Sequence, residues 1–309
     1  MPTVTELSVE NFRGIAECAE PVPLGDPTIL IGRNNAGKTS LLEALYLLAG
    51  DTDPVLQEMR YTRIAGAHGR HLAHQYTGES RINATVDESE MEAIVKSGGI
   101  ESTIDGRDRR ITPETDDQFG IVGEPFSLLF DTETPQARHT DALAERFEEI
   151  QTAGIHAAVA EFVGESVDER FTEVLFDRGE IRKAPADGTP FMLDLDDLGR
   201  GVVKTIPVYT AVELLEPTLT LWDDLESSLH PTLTENLIQW LVDSPTQAVV
   251  STHSLDVVTA ALQADADEMQ FLSVATDDGR LRVREFDREQ LRRTIENAGH
   301  DPRYLPVDG

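Results

Sequence analysis

The sequence predicts an α/β protein with a mixed central sheet, an antiparallel β region and a small helical lobe. Three observations support this fold class. Short apolar runs typical of buried strands occur near both ends of the chain, and helical patterns follow them. Between these ends, short strand candidates alternate with polar, glycine-rich pieces. With 309 residues, 39% of them hydrophobic, the chain can bury the core of one large domain or two ordinary ones.

The first fifty residues have a strand–loop–helix pattern. Residues 4–10 alternate between apolar and polar side chains and predict a strand, and the prolines and glycine of residues 21–25 mark a turn. Thr28–Ile31 predicts a short buried strand. Apolar residues at helical spacing then predict a helix over Thr39–Ala49, which Gly50 ends.

The middle of the chain predicts two further regions. We expect an antiparallel β region over residues 51–135, with strand candidates at Ile82–Val86 and Phe126–Phe130. Over residues 136–168, two helical patterns flank Gly154 and predict a helical hairpin lobe.

Strand and helix patterns alternate again in the last part of the chain. Pro231 predicts the start of a helix, with Thr232 and Glu235 at the spacing of a capping box. Asp287 predicts the start of a last helix, and Gly299 its end. The strands predicted here are Phe171–Phe176, Phe191–Leu195, Leu219–Trp222 and Ala248–Val250.

The chain is strongly acidic. Asp and Glu number 57 against 26 Lys and Arg, which gives a formal net charge of −31, and only four of the basic residues are lysines. Diffuse acidity with few lysines is typical of a salt-accumulating halophile, because molar salt screens the repulsion between like charges. In such a cytoplasm the charge neither indicates nor excludes nucleic-acid binding. We interpret it as a solvated acidic surface.

Nothing in the sequence predicts export or membrane insertion. No apolar run approaches the roughly 18 residues that cross a bilayer, and the N-terminus has no basic and apolar leader. Cys18 is the one cysteine, so an internal disulfide is excluded. We expect a soluble, cytoplasmic protein without a membrane partner.

The strongest motif is Gly32–Thr39, which fits G-x-x-x-x-G-K-[ST] between a buried strand and a helix. Backbone N–H groups of such a loop, together with the positive end of the helix, favour a phosphate. Lys38 neutralises the β- and γ-phosphates, and the Thr39 hydroxyl is a Mg²⁺ ligand. The motif predicts a P-loop that binds a nucleoside triphosphate through Asn34, Asn35, Ala36, Gly37, Lys38, Thr39 and Ser40.

Three further segments carry polar groups at the ends of predicted elements. A buried strand ends in Asp223 and Asp224, of which the first can hold Mg²⁺ through water and the second can orient or deprotonate the attacking water. His253 ends another buried strand and can contact the γ-phosphate and this water. The segment Gly199-Arg200-Gly201 opens a helix and can present backbone N–H groups to an anion.

The order of these segments resembles that of ABC-type ATPase heads of the RecF, SMC and OLD (overcoming-lysogenisation-defect) group. The resemblance covers about residues 4–50 and 190–260. It implies a P-loop NTPase fold with ATP and Mg²⁺ as ligands, and one head over residues 1–309 in which residues 51–135 and 136–168 lie between the P-loop and the signature. The matching segments are Asn11–Ile15 ("NFRG"), Gly32–Ser40 ("GRNNAGKT"), Leu198–Gly201 ("LGxG"), Asp223–Pro231 ("DExExxLHP") and Ser251–Ser254 ("STHS").

The resemblance also implies roles for single residues. In this family two heads form a dimer, with ATP between the P-loop of one head and the signature of the other. Asp223 then corresponds to the Mg²⁺-side carboxylate, Asp224 to the catalytic base and His253 to the switch histidine. The residues implied to face the ATP of the partner head are Gly199, Arg200 and Gly201.

Two positions depart from the family pattern, and two questions stay open. Asp224 stands where Glu is usual, which makes slow hydrolysis an expectation. Arg200 stands where Ser is commonest, and it either clamps the γ-phosphate held by the partner head or pairs with acids. The family's glutamine loop is either Gln57 or Gln75. Glu226 would share a side with Asp224 only if the strand continued past Asp224, which we do not expect.

The resemblance implies an ATP-hydrolysing switch that works as an ATP-dependent homodimer in DNA repair or in defence against mobile elements. Nucleic acid and a separate effector chain are the further partners it suggests. An alternative is a slow or inactive regulatory module that binds ATP and recruits a partner protein. A transporter's energising subunit is less favoured, because its signature is LSGGQ-like and this chain has LGRG. An OLD-type nuclease domain is not expected, because too few residues follow His253.

Overall fold

The structure, a computed structural model, describes residues 3–48, 72–87, 89–96, 99–104, 107–111, 127–130, 136–296 and 301–304. These residues form a 13-stranded mixed sheet, a 3-stranded antiparallel sheet and eight α-helices. The strands of the first half are β1 Val4–Phe12, β2 Ile15–Cys18, β3 Val22–Pro23, β4 Thr28–Ile31, β5 Ser80–Val86, β6 Ser89–Lys96, β7 Gly99–Ile104, β8 Arg107–Ile111 and β9 Ser127–Phe130. Those of the second half are β10 Phe171–Leu175, β11 Glu180–Lys183, β12 Phe191–Asp194, β13 Leu219–Trp222, β14 Gln247–Thr252, β15 Gln270–Asp277 and β16 Arg280–Phe286.

The part of the large sheet that carries the P-loop is parallel. Strand β4 lies between β14 and β15, and β13 lies between β14 and β9, with all these pairs parallel. Ile31, the last residue of β4, is opposite Thr252 on β14 and Ser273 on β15. Because parallel strands end at the same edge of a sheet, the segments that follow β4, β13 and β14 leave it side by side.

The other part of the large sheet is mostly antiparallel. Strands β1, β5, β6, β7 and β8 pair in that order, and β15 pairs with β16, which joins β2 in parallel. Strand β5 contains the strand predicted at Ile82–Val86. Every second residue of β5 is buried, which explains why the sequence pattern predicted a strand here. Strand β9 covers the described part of the candidate at Phe126–Phe130, but the antiparallel pairing predicted for it is wrong, because β9 pairs in parallel with β13 at the edge of the parallel part.

The helices cover both faces of the parallel strands. Two hydrophobic cores lie on opposite faces of β4. Ile29 and Ile31 point to one face and pack with the later helices, whereas Leu30 points to the other and packs with the first helix. Within the described ranges, each helix is too short or too polar to span a bilayer. The helices are α1 Lys38–Leu48, α2 Gln136–Ala144, α3 Phe147–Thr152, α4 Ile155–Val167, α5 Arg200–Leu215, α6 Pro231–Asp243, α7 Leu255–Gln263 and α8 Arg288–Glu296.

Most predicted elements are present, with two further differences in detail. The lobe has three helices where two were predicted, because the first predicted helix is divided at residues 145–146 into α2 and α3; the predicted break at Gly154, which has a φ of 77°, separates α3 from α4. The capping box predicted at Thr232 and Glu235 is wrong: His230 is the N-cap of α6 and makes no side-chain capping bond, while Pro231 occupies the first turn. Gly50 and Gly299 lie outside the described residues.

The signature segment begins α5 and packs on the loop that follows β13. Gly199 is the N-cap of α5 and is exposed, as is Arg200. Gly201 is buried, and a Cβ at this position would approach the Ser228 carbonyl oxygen to 2.6 Å. A glycine is therefore required at 201 for the close approach of helix and loop, whereas a Cβ at 199 would meet no atom within 4 Å.

We expect Gly201→Ala to destabilise the fold by about 1–3 kcal/mol, because its methyl group must displace the loop backbone at Ser228. Gly199→Ala is the matched control and should cost less than about 1 kcal/mol, the difference between Gly and Ala at an N-cap. Urea unfolding of the three proteins in one buffer measures both changes. Equal stability of the two variants would contradict the packing described here.

Candidate active site

The P-loop is wound tightly between β4 and α1. Asn35 and Gly37 have φ angles of 63° and 100°, so the loop needs left-handed backbone at both positions. A Cβ on Gly37 would approach the Leu281 side chain to 2.7 Å, and one on Gly32 would approach the Val274 carbonyl oxygen to 2.6 Å. Gly32 is thus required because the loop lies directly on the backbone of β15, and Gly37 because side chains rarely adopt its φ.

Lys38 is folded into this loop. Its Nζ donates hydrogen bonds to the carbonyl oxygens of Gly32 at 3.0 Å and Arg33 at 3.1 Å. Burial lowers the pKa of the ammonium group, while the nearby carboxylates, Asp224 first and then Asp223, raise it. The lysine is therefore a partly desolvated cation whose present partners are neutral carbonyls, and phosphate oxygens would be stronger acceptors.

Asp223 joins the P-loop to the ends of β13 and β14. Its Oδ2 accepts a hydrogen bond from Thr39 Oγ1 at 2.8 Å, and its Oδ1 accepts one from Ser251 Oγ. Burial raises the pKa of this carboxyl group, and the two hydroxyl donors lower it. A hydroxyl and a carboxylate oxygen placed together are ligands of the kind that Mg²⁺ prefers, so the pair Thr39–Asp223 fits this ion.

Asp224 begins a reversal of the chain. Its φ is 47°, its N–H donates to Ser251 Oγ at 3.0 Å, and the N–H of Leu225 donates to the Ser251 carbonyl at 3.1 Å. These contacts turn the segment after β13 back along the end of β14. The Asp224 carboxylate lies at the long limit of hydrogen bonding from His253, 3.4 Å from Oδ1 to Nδ1.

Glu226 makes closer contacts with the histidine than Asp224 does. Its Oε1 is 2.6 Å from His253 Nδ1 and accepts a hydrogen bond from the His253 backbone N–H at 2.8 Å. Its Oε2 accepts one from Thr252 Oγ1 at 2.8 Å. A carboxylate on Nδ1 leaves Nε2 as the free nitrogen of the ring.

The expectation that Glu226 needs a continuing strand to share a side with Asp224 is therefore wrong. Strand β13 does end at Trp222, as expected, but the reversal at Asp224 brings Glu226 against the end of β14. The only signal in the sequence was the position of this acid within the matched segment Asp223–Pro231.

A cleft of about 640 Å³ opens in front of the P-loop. Asp224 and the segment His74–Tyr76 line it, and so does Arg13, whose Nε lies 2.7 Å from the buried carboxylate of Glu43. The predicted P-loop residues that line the cleft are Asn34, Asn35, Ala36, Gly37, Lys38, Thr39 and Ser40.

The glutamine loop, the signature and the histidine predicted from the sequence differ in their positions relative to this cleft. Gln75 lines it, while Gln57 lies outside the described residues. The described cleft wall does not include the signature residues Gly199, Arg200 and Gly201. The ring of His253 contacts the carboxylates of Asp224 and Glu226.

A P-loop, an adjoining hydroxyl–carboxylate pair and polar groups at the ends of neighbouring parallel strands define a P-loop NTPase. The chain belongs to the family described as "AAA domain, putative AbiEii toxin, Type IV TA system", which matches residues 69–259, more than half of its length. A second family, described as "AAA ATPase domain", matches residues 3–118.

Curated relatives agree with this membership. The "DNA replication and repair protein RecF" of Anaeromyxobacter dehalogenans is 32% identical over 127 residues, which are 39% of this chain and 31% of the relative. The "OLD nuclease" of Thermus scotoductus is 45% identical over 56 residues, 18% of this chain and 10% of the relative. The alignment thus spans about a third of the RecF protein and a tenth of the OLD nuclease.

Solved structures share the fold at low sequence identity. An SMC head bound to the C-winged helix domain of ScpA has a TM-score of 0.62 and 15% identity, covering 94% of this chain and all of that chain. The recombination mediator protein RecF with ATP has a TM-score of 0.56 and 15% identity, covering 92% and 99%. The resemblance to RecF, SMC and OLD ATPases and the P-loop α/β fold predicted from sequence are confirmed.

We expect Glu226→Ala to release the His253 ring, because the variant loses the acceptor nearest Nδ1. Imidazole ¹⁵N chemical shifts should show one dominant tautomer, protonated on Nδ1, in the unaltered chain and a mixture in the variant. Glu213→Ala is the control, since Glu213 accepts a hydrogen bond from Trp240 Nε1 at 2.8 Å elsewhere in the fold. An unchanged tautomer in Glu226→Ala would show that Glu226 does not orient the ring.

Proposed function

We propose that this protein binds MgATP in the cleft and hydrolyses it slowly, as an ATP-dependent switch. The observation that carries the proposal is the hydrogen bond between Thr39 on the P-loop and Asp223 at the end of β13. It joins the two groups that a triphosphate-bound Mg²⁺ needs, beside the lysine of the same loop. The match of residues 3–118 to a family described as "AAA ATPase domain" and the fold shared with ATP-bound RecF support the choice of ATP.

The P-loop residues Asn34 to Ser40 supply the phosphate site. Their backbone N–H groups and the N-terminus of α1 favour a polyanion, and Lys38 exchanges its carbonyl partners for phosphate oxygens. Thr39 and Asp223 would hold the Mg²⁺, which would neutralise phosphate charge when bound. We assign the glutamine loop to Gln75, because this side chain lines the same cleft.

Asp224 and His253 are the groups we assign to the attacking water. Asp224 faces the cleft, and its carboxylate can accept a proton from water or orient it. With Glu226 on Nδ1, the Nε2 of His253 is the nitrogen available to the γ-phosphate and the water. Because Asp is one methylene shorter than the usual Glu, we propose slow turnover.

The active form we propose is an ATP-dependent homodimer. Gly199 and Arg200 are exposed at the start of α5 and are available to the ATP of a second head, whereas Gly201 supports the same turn from its buried position. In this arrangement the exposed guanidinium of Arg200 acts as a clamp on the phosphate held by its partner.

The process served is DNA repair or defence against mobile elements, in the cytoplasm. The first is suggested by the similarity to RecF, which is named for replication and repair. The second is what the resemblance to OLD ATPases implies, and the matching family is described as a putative toxin of a type IV TA system. Nucleic acid is the partner in the first case. A separate effector chain is suggested by the SMC head that is bound to ScpA.

A second candidate function is a regulatory module that binds ATP, hydrolyses almost none and recruits a protein. The observation that favours it is the position of His253, which is closer to Glu226 than to Asp224. ATP turnover in molar KCl, measured with and without DNA ends, separates the two. Turnover at background with intact ATP-dependent dimerisation would favour the regulatory module.

We expect Lys38→Ala to abolish ATP binding, lowering affinity at least about 100-fold, because the phosphate charge loses its buried partner. Lys183→Ala is the matched control, since Lys183 pairs with Glu169 on the surface at 2.6 Å. Isothermal titration with MgATP measures both. Unchanged affinity in Lys38→Ala would remove the P-loop assignment.

We expect Asp224→Asn to lower ATP turnover about 100-fold or more, because the amide cannot accept the proton of the attacking water. Nucleotide binding should persist, so that the variant accumulates as an ATP-bound dimer in light scattering. Asp243→Asn, at the exposed end of α6, is the control. A monomer at saturating MgATP would contradict the sandwich arrangement.

A further inference from the structure

Residues Asp301–Tyr304 form a short segment, here called the strap, that contacts Arg33 of the P-loop and His253 after β14. The hydroxyl of Ser273, a buried residue of β15, donates a hydrogen bond to the Pro302 carbonyl at 2.8 Å. Ser273 is opposite Ile31, the residue before the P-loop. The strap is thus anchored on β15, the strand next to β4, beside the residue that precedes the P-loop.

Within the strap, Arg303 is held by Asp301. The Asp301 carboxylate accepts hydrogen bonds from the backbone N–H of Arg303 at 2.9 Å and from its Nε at 2.8 Å. The guanidinium lowers the pKa of the Asp301 carboxyl group through these bonds. The pair therefore pre-orients the guanidinium and leaves its Nη1 free to reach outside the strap.

That Nη1 contacts the switch histidine. It donates a hydrogen bond to the backbone carbonyl of His253 at 2.7 Å. Glu226 accepts the N–H of the same residue, so charged side chains bind both backbone polar groups of His253. Charge-assisted bonds of this length are among the stronger ones in proteins. The position of the imidazole is thus set from two sides.

The other end of the strap contacts the P-loop. The Tyr304 ring lies 4.9 Å from the guanidinium carbon of Arg33, a cation–π contact, although 60% of Tyr304 is exposed. The carbonyl of Arg33 is one of the two acceptors of Lys38 Nζ. A continuous series of contacts therefore runs from the lysine through Arg33, Tyr304 and Arg303 to the histidine.

We infer that the strap couples the occupancy of the P-loop to the position of His253, with Arg303 as a positioning residue. The inference rests on the proposed function. Phosphate oxygens that bind Lys38 remove its bond to the Arg33 carbonyl, which gives the loop two discrete arrangements. The strap transmits this change because Arg303 and Tyr304, which make its two contacts, are adjacent residues that directly follow the anchor of Pro302 on Ser273. Arg303 thus acts on hydrolysis through His253 and is not among the described residues that line the cleft.

The test separates turnover from binding. Arg303→Ala should lower kcat about tenfold and leave the KM and the ATP dissociation constant within about twofold, because the substrate site is intact. Arg303→Lys should recover part of kcat, since an ammonium can still donate to the His253 carbonyl. Arg293→Ala is the control, because Arg293 pairs with Glu289 at 2.8 Å on the exposed face of α8. An unchanged kcat in Arg303→Ala overturns the inference.

A second variant tests the other contact and does not depend on how Arg303→Ala folds. Tyr304→Trp keeps an aromatic ring against Arg33, and its emission, taken as the difference from the unaltered chain, should change on adding MgATP. The double variant Tyr304→Trp, Lys38→Ala should show no change. An unchanged emission at ATP concentrations that titration shows to be saturating overturns the coupling. Absence of ATP binding by the unaltered chain would instead refute the proposed function, and this inference with it.

Discussion

The carboxylate of Asp223 holds the site together, because it accepts hydrogen bonds from hydroxyl groups of two other segments. Thr39 belongs to the P-loop and Ser251 to β14, so one buried side chain fixes the ends of three parallel strands relative to one another. The parallel register makes these contacts possible, since β4, β14 and β13 end at one edge. The P-loop, the proposed Mg²⁺ ligands and His253 all depend on this alignment.

The charges in the site are not balanced. One ammonium group, Lys38, lies among the carboxylates of Asp223, Asp224 and Glu226, and burial disfavours the charged form of both Lys38 and Asp223. Proteins keep such groups where a ligand completes the charge balance. A triphosphate alone would add negative charge beside three acids, whereas a triphosphate with Mg²⁺ brings a cation to Asp223. The arrangement therefore favours a metal–nucleotide complex over a free nucleotide.

The sequence predicted those parts of the site that depend on local structure. A P-loop and acids at strand ends can be predicted from the sequence because a few consecutive residues determine both their conformation and their chemistry, as at Lys38 and Asp223. The position expected for Glu226 was wrong because it depends on the reversal at Asp224 and on the neighbouring strand. The contacts of Arg303 and Tyr304 were missed for a related reason: they join residues far apart in the chain, and no periodic pattern marks them. The burial of Gly201 likewise depends on a loop that only the folded chain brings near.

The acidity of the whole chain and the binding of a polyanion are compatible because they act over different distances. At molar salt the Debye length is about 3 Å, so the net charge of −31 is screened beyond the first contacts. Hydrogen bonds from the P-loop N–H groups and from Lys38 act within that distance and in a partly desolvated loop, where ions screen them least. An acidic protein can thus retain a phosphate site if its cation is buried next to the loop backbone, and Lys38, with Nζ about 3 Å from two loop carbonyls, meets this condition.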